Sequence, residues 1–251
     1  MTPVNAAWYL SMQRRTSVTA RALVACATLL TTAATPYSYV GIQALALVGV
    51  HRDVAGSQYG IGAGPLLQIH LGGSHFALHL EGLPVVSIPG VRPSVTYGQA
   101  TPAIGIFNGQ AEYALGNTGA WIGLGETIYN QRTPLPAQAQ TVSSRLAGVR
   151  YILRYRHVFG TRHFIEALVG TAPYLSGSDV YVFLDGAPNT IKPERASEVD
   201  ASLQWGYSYR RSQWLIGLRT LNFTAMYPAT GLAADRNVGF GPVIEYRLLL
   251  H

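Results

Sequence analysis

The stretch "VDASLQWGYSYRRSQWLIGLR", residues 199–219, decides the fold. Val199, Ala201, Leu203, Trp205, Tyr207 and Tyr209 take every second position, while Asp200, Ser202, Gln204, Gly206, Ser208 and Arg210 fill the gaps. Successive side chains on a strand point to opposite faces, so this segment has one apolar face that ends in aromatic rings and one polar face. The segment holds too many rings for a surface loop and too much charge for a buried core. The pattern predicts two strands joined at "RRSQ" (210–213), and the fold turns on which face meets water.

The same alternation returns along the chain. It predicts ten strands, at about 37–50, 59–71, 75–87, 102–115, 120–130, 143–157, 162–175, 198–210, 213–225 and 237–250. Each is longer than the usual globular strand and suits a tilted membrane strand of about 9 to 11 residues. The connections alternate too. "GGS" (72–74), "GNTG" (116–119), "FGTR" (159–162) and "RRSQ" are tight turns, separated by longer polar or Pro-rich loops, one of them running from Ser176 to Ser197. That rhythm belongs to an up-and-down barrel with turns on one side of a membrane and loops on the other. The expectation is an all-β fold, an up-and-down antiparallel transmembrane β-barrel of about ten strands with eight as the lower count, in one domain over 35–251.

Parity sorts the charges. Arg150, Arg154 and Arg156 oppose Val149, Tyr151, Leu153 and Tyr155; Glu245 and Arg247 oppose Ile244, Tyr246 and Leu248; Glu112 opposes Tyr113; Glu81 opposes Leu80. A closed barrel with lipid outside and a polar interior accommodates this, because every backbone group is paired and no edge stays open. Glu81, Glu112, Glu126, Arg150, Arg154, Arg156, Glu166, Asp200, Arg219, Glu245 and Arg247 are assigned to a lumenal charge network, since unpaired charge inside so narrow a barrel is costly. Trp205, Tyr207, Tyr209, Trp214 and Tyr246 are assigned to the aromatic girdle at the turn side. The inverted arrangement is a soluble periplasmic lipocalin-like barrel with an apolar cavity, and alternation alone does not separate the two.

Composition agrees with a membrane barrel. Charged residues are 12% and glycines number 27 in 251 residues, while the hydrophobic share of 48% is spread over short segments. Lys192 is the only lysine. Arg14, Arg15 and Arg21 lie in the first 34 residues, which contain no acid, so the remainder holds 15 basic against 12 acidic residues. No basic run or basic helix points to nucleic acid. From Met12, the expected start, the chain shows a basic segment, an apolar run from Ala22 to Leu30 and small residues near Ala34, the parts of a secretory signal that would be removed on export to the outer membrane. Cys26, the single cysteine, falls inside it, so disulfides and thiolate metal sites are excluded from the mature chain.

Other chemistry is thinner. His70, His75 and His79 can share the lumen face across the "GGS" turn, but no HExxH or CxxC accompanies them, and histidines of a polar interior are the commoner reading. "GIGAGP" (60–65) lacks a following helix and a phosphate-loop lysine, and reads as strand glycine at a barrel bend. No metal site and no cofactor are expected.

Two resemblances bear on function. The last strand, "GFGPVIEYRLLLH", resembles the C-terminal assembly signal of bacterial outer-membrane barrels, with Tyr246, Leu248 and Leu250 at alternate positions, although it ends in His251 instead of an aromatic residue. The resemblance implies the barrel-assembly machinery as a partner, beside outer-membrane lipid and lipopolysaccharide. "FIEALVGTAPYLSG" and "GLRTLNFTAMYPATGL", within 164–250, resemble the outer-membrane lipid A deacylase family. That family carries an arginine followed by a histidine-x-serine catalytic pair on the lipid-facing surface. Arg219 matches the arginine, while Asn222 and Thr224 stand at the histidine and serine positions. An amide has no titratable nitrogen to take a hydroxyl proton, and no glutamate lies near 236–238, so the motif is degenerate and no catalytic residue is assigned. The expected role is structural, narrow-pore or surface interaction, with a lipid A acyl-ester hydrolase or its inactive relative as the alternative.

Overall fold

The computed structural model describes residues 38–53, 56–87, 103–135, 140–182, 188–228 and 234–250. The proposed signal region, residues 1–34 with Met12 and Cys26, lies outside them. Twelve strands are described: β1 (Tyr39–Asp53), β2 (Gly56–Gly72), β3 (Phe76–Ser87), β4 (Ala103–Ala114), β5 (Ala120–Leu135), β6 (Gln140–Phe159), β7 (His163–Ala172), β8 (Leu175–Val182), β9 (Pro188–Ile191), β10 (Arg195–Tyr209), β11 (Ser212–Met226) and β12 (Asp235–Leu249).

Neighbours in sequence pair antiparallel from β1 to β7, β7 pairs with β10, β10 to β12 continue the meander, and β12 returns to β1. Ten strands therefore close a cylinder, which removes every sheet edge from the wall. Strand β8 prolongs β7 along the same neighbour: Thr171 pairs with Tyr151 of β6, and Leu175 with Gly148. The register slips by one residue at Pro173 and Tyr174, as proline cannot donate to a ladder. Beyond that point β8 pairs with β9, and no ladder joins residues 173–178 to 192–197.

This extra hairpin occupies part of the segment from 176 to 197 that the sequence reading assigns to a loop. Strand β8 carries the ladder with β6 on past β7 into this segment, from Leu175 opposite Gly148 to Val182 opposite Thr141. Likewise β1 and β2 run on to the pair Asp53 and Gly56, through most of the stretch 51–58 between the first two expected strands.

The turns are tight where the sequence places them. Gly116, Gly119 and Gly160 have positive φ, and at Gly119 a side chain would collide with the Arg156 carbonyl.

The apolar faces point outward. Leu203, Ile216, Ile244, Leu124 and Leu153 are half or more exposed on the outer wall, whereas Arg150, Asp200, Glu245 and Arg247 are buried inside. The inverted, lipocalin-like arrangement is thereby overturned. The interior has two storeys. Toward the turns it is ionic; toward the loops it is packed by Leu45, Leu66, Leu83, Ile104, Ile106, Leu146, Phe223 and Val243.

Glu126 is a second correction. The inward places of β5 belong to Gly123, Gly125, Thr127, Tyr129 and Gln131, so Glu126 shares the outer face with Ile122, Leu124 and Ile128 and is exposed there. Grouping by charge put it in the lumen; parity puts it outside. His75 is the third. It sits exposed in the turn before β3, its Nδ1 2.8 Å from Ser74 Oγ, while His70 and His79 face inward.

Candidate functional site

The lower storey is one connected polar network, built because the inward positions of β3, β4, β6, β7, β10, β11 and β12 converge at one level of the cylinder. Arg247 on β12 grips Glu166 of β7 through Nη1 (2.9 Å) and Nη2 (2.7 Å) and donates through Nε to Glu245. Arg154 of β6 donates to Glu112 of β4 (3.0 Å) and to Glu166 (3.4 Å), and Arg156 lies 3.7 Å from Glu166. Across the lumen, Arg219 of β11 holds Glu81 of β3 through both terminal nitrogens (3.0 and 2.5 Å), Asp200 of β10 (2.8 Å) and the Gln43 carbonyl (3.0 Å). Arg150 joins Asp200 and Glu198 (3.0 Å for the latter). Bidentate guanidinium forks suit this role, since they satisfy two carboxylate oxygens at once.

Amides and hydroxyls complete the set. Gln43 and Gln204 donate to Glu245 Oε2 (2.8 and 3.1 Å), Asn108 donates to Glu81 (3.1 Å), and Thr127 lies 2.8 Å from Glu198 Oε2. Ten of the eleven residues assigned to the network from sequence meet here; Glu126 does not. The charge network drawn from sequence did not name Glu198, Gln43, Gln204, Asn108, Thr127 or Tyr39, although Gln204 already stood on the polar face of its strand. Parity alone marks the first five as inward. Tyr39, under the Arg247 guanidinium (4.4 Å) and stacked on His70, opens β1 with no distinguishing neighbour.

Little space remains. A cavity of about 10 Å³ lies among Gln43, Gln68, His79, Glu81, Arg219 and Arg247. It is at the lower limit for one water. Above it, Tyr129 and Phe223 stack face to face at 3.7 Å, with the Tyr129 hydroxyl tied to Gln131 (2.8 Å) and Asn237 (2.6 Å). Below it, at the turn end, a vestibule of about 420 Å³ is lined by Tyr39, His70, Trp121, Arg154, Arg156 and Glu166.

The outer wall carries its own features. Trp205, Tyr209 and Trp214 are exposed near the turns, Tyr207 and Tyr246 partly so, and Trp214 packs on Tyr246 at 4.8 Å. At the loop end, Arg132, Arg145, Arg195 and Arg236 are exposed on the outer face. Asn222 and Thr224 are outward and half-buried, with neighbours Val199 and Val238 for the first and Ser197 and Arg236 for the second; Arg219 points the opposite way. Glu126 lies beside an outer-wall hollow of about 170 Å³ lined by Leu78, Leu80, Phe107, Gly109 and Leu124.

No protein-family model and no curated protein sequence matches the chain. Among solved structures, the outer membrane protease OmpT from Escherichia coli is similar at a TM-score of 0.56 and 10% identity, over 86% of this chain and 98% of that one. The beta domain of the Bordetella autotransporter BrkA aligns at a TM-score of 0.38 and 14% identity, over 84% and 98% of the two chains. The fold is that of outer-membrane β-barrels.

Proposed function

We propose that this protein is a closed, non-conducting barrel of the bacterial outer membrane, exported by its N-terminal signal, whose work is done by its outer wall and loops. The observation that carries the reading is the filled lumen: an ionic storey with a void of about 10 Å³ lies under an apolar storey plugged by Tyr129 and Phe223. A barrel this full has no route for hydrated ions. Of the roles expected from sequence, a structural or surface-interaction role therefore ranks above a narrow pore.

Lipopolysaccharide is the partner that the wall best fits. The exposed arginines at the loop end, Arg132 and Arg145 on one side and Arg195 and Arg236 on another, stand where an outer leaflet places its phosphates. Planar-bilayer recording of the refolded protein tests the closed lumen. Silence is expected, and steady single-channel current overturns the proposal.

The second reading, a degenerate relative of the lipid A deacylases, is favoured by one feature. Asn222 and Thr224 sit on the lipid-facing wall, with the Asn222 Oδ1 unpartnered, while Arg219 is consumed by the lumenal network. Incubation with lipopolysaccharide and mass spectrometry of released fatty acid decides it. No release is expected, and release that Thr224→Ala abolishes establishes the hydrolase instead.

A further inference from the structure

We infer that the lumen holds a divalent transition-metal site made by His70, His79 and Glu112. His70 and His79 are a directly opposed pair on β2 and β3, and Glu112 on β4 lies diagonal to His79, two places from its partner Gln110. All three face inward and are almost fully buried, at 5%, 2% and 1% exposure. One ligand atom from each lies within 4.8 Å of the others.

The second observation is what these groups leave undone. His79 has neither ring nitrogen hydrogen-bonded, His70 leaves Nδ1 without a partner, and Glu112 leaves Oε2 without one. Buried polar atoms are nearly always satisfied, and three neighbouring side chains that each leave a ligating atom without a partner call for a shared one. The rest of the shell is already fixed. Gln110 (2.9 Å) and Arg154 (3.0 Å) both donate to Glu112 Oε1, which leaves Oε2 as the available oxygen. Glu81 Oε2 stands 4.0 Å from His79 Nε2, the kind of carboxylate neighbour that orients a metal-bound imidazole.

Geometry and charge are compatible with a cation. For three atoms at most 4.8 Å apart there is a point no more than about 2.8 Å from each, so closing to the roughly 2.0–2.2 Å of zinc ligands takes a shift of at most about 0.8 Å apiece. The like charges near the cluster are Arg154, which is bonded to Glu112, and Arg219 and Arg247, which line the small void beside His79 and are bonded to Glu81 and Glu166. Against them, the network as a whole holds six carboxylates (Glu81, Glu112, Glu166, Glu198, Asp200, Glu245) and five guanidiniums (Arg150, Arg154, Arg156, Arg219, Arg247), an excess of one negative charge. Two imidazoles and a carboxylate suit zinc, cobalt or nickel above magnesium or calcium. Entry is from the turn side, where His70 lines the vestibule. A metal there ties β2, β3 and β4 together below the charge network.

The test uses folded, tag-free protein in detergent, titrated with Co²⁺ by absorption and with Zn²⁺ by calorimetry, heat-modifiable migration on gels reporting that each variant is folded. The expected result is one Zn²⁺ per chain, at least tenfold weaker in His79→Gln and in His70→Gln and unchanged in His75→Gln. Glu112→Gln should also weaken binding and alter the Co²⁺ spectrum. Absence of binding by the folded wild type, or binding that survives the paired His70→Gln, His79→Gln change and is lost on replacing the outer His157 and His163, overturns the inference.

Discussion

Replacing Arg219 with methionine probes the lower storey most directly. The guanidinium makes two contacts to Glu81, one to Asp200 and one to Gln43, and methionine fills similar volume without charge. Glu81 then keeps only Asn108 as a hydrogen-bonded partner, Asp200 keeps Arg150, and the Gln43 carbonyl loses its donor. Removing one partner from a buried ion pair costs about 3–5 kcal/mol, because the other charge stays behind uncompensated. The folded-to-unfolded ratio should therefore fall by about 100- to 5,000-fold. Urea unfolding in phospholipid vesicles, followed by tryptophan fluorescence where the unfolding and refolding curves coincide, measures it. Adding Glu81→Gln to the same chain removes the stranded charge and should recover at least half of the loss. The deficit should hardly change with added salt, since buried pairs are poorly screened. A cost under about 1 kcal/mol, or a double variant no more stable than the single one, refutes the account of a desolvated, mutually dependent network.

Four further changes test other parts of the structure by the same vesicle assay. Phe223→Ala removes the ring stacked on Tyr129 and should cost about 3–5 kcal/mol, yet leave bilayers silent because the ionic storey still closes the lumen. Gly170→Ala places a methyl group against Arg150 Nη2 and Asp200 Oδ1, and should destabilise by about 1–3 kcal/mol. On the outer wall, Leu203→Arg should cost about 2–4 kcal/mol, while Glu126→Leu should stabilise by up to about 2 kcal/mol. Opposite signs are the signature of lipid contact at both positions; equal signs would place one of them in water.

Much of this molecule is legible in its sequence because a strand repeats every two residues. Parity alone puts Leu203 outward and Gln204 inward, and it orders the arginines of β6 on one face. What it does not show is register. His79 and Glu112 come together only because β3 and β4 pair Ala77 with Glu112, and a chain read one strand at a time does not show which diagonal a carboxylate falls on. The histidines alone therefore suggested a set that included His75, which belongs to the turn. Glu126 went astray because its charge outweighed its parity. The apolar upper storey escaped notice for a related reason: Leu45, Leu66 and Ile104 are inward residues in strands whose outer faces are equally greasy, so those strands give no contrast between faces.

The contacts that fill the ionic storey join residues far apart in the chain: Arg219 to Glu81 across 138 positions, Arg219 to Gln43 across 176, and Gln43 to Glu245 across 202. None of these three can form within a single hairpin, although Arg154 with Glu166 and Arg219 with Asp200 can, so the network starts locally and is completed only across the sheet. Completion of the network and closure of the barrel are consequently one event. Until the first and last strands meet, Gln43 has no Glu245 beside it and the Arg219 and Glu245 halves of the network lack the residue that bridges them. Such a network is complete only when the seam between β1 and β12 is shut, where Gln43 meets Glu245.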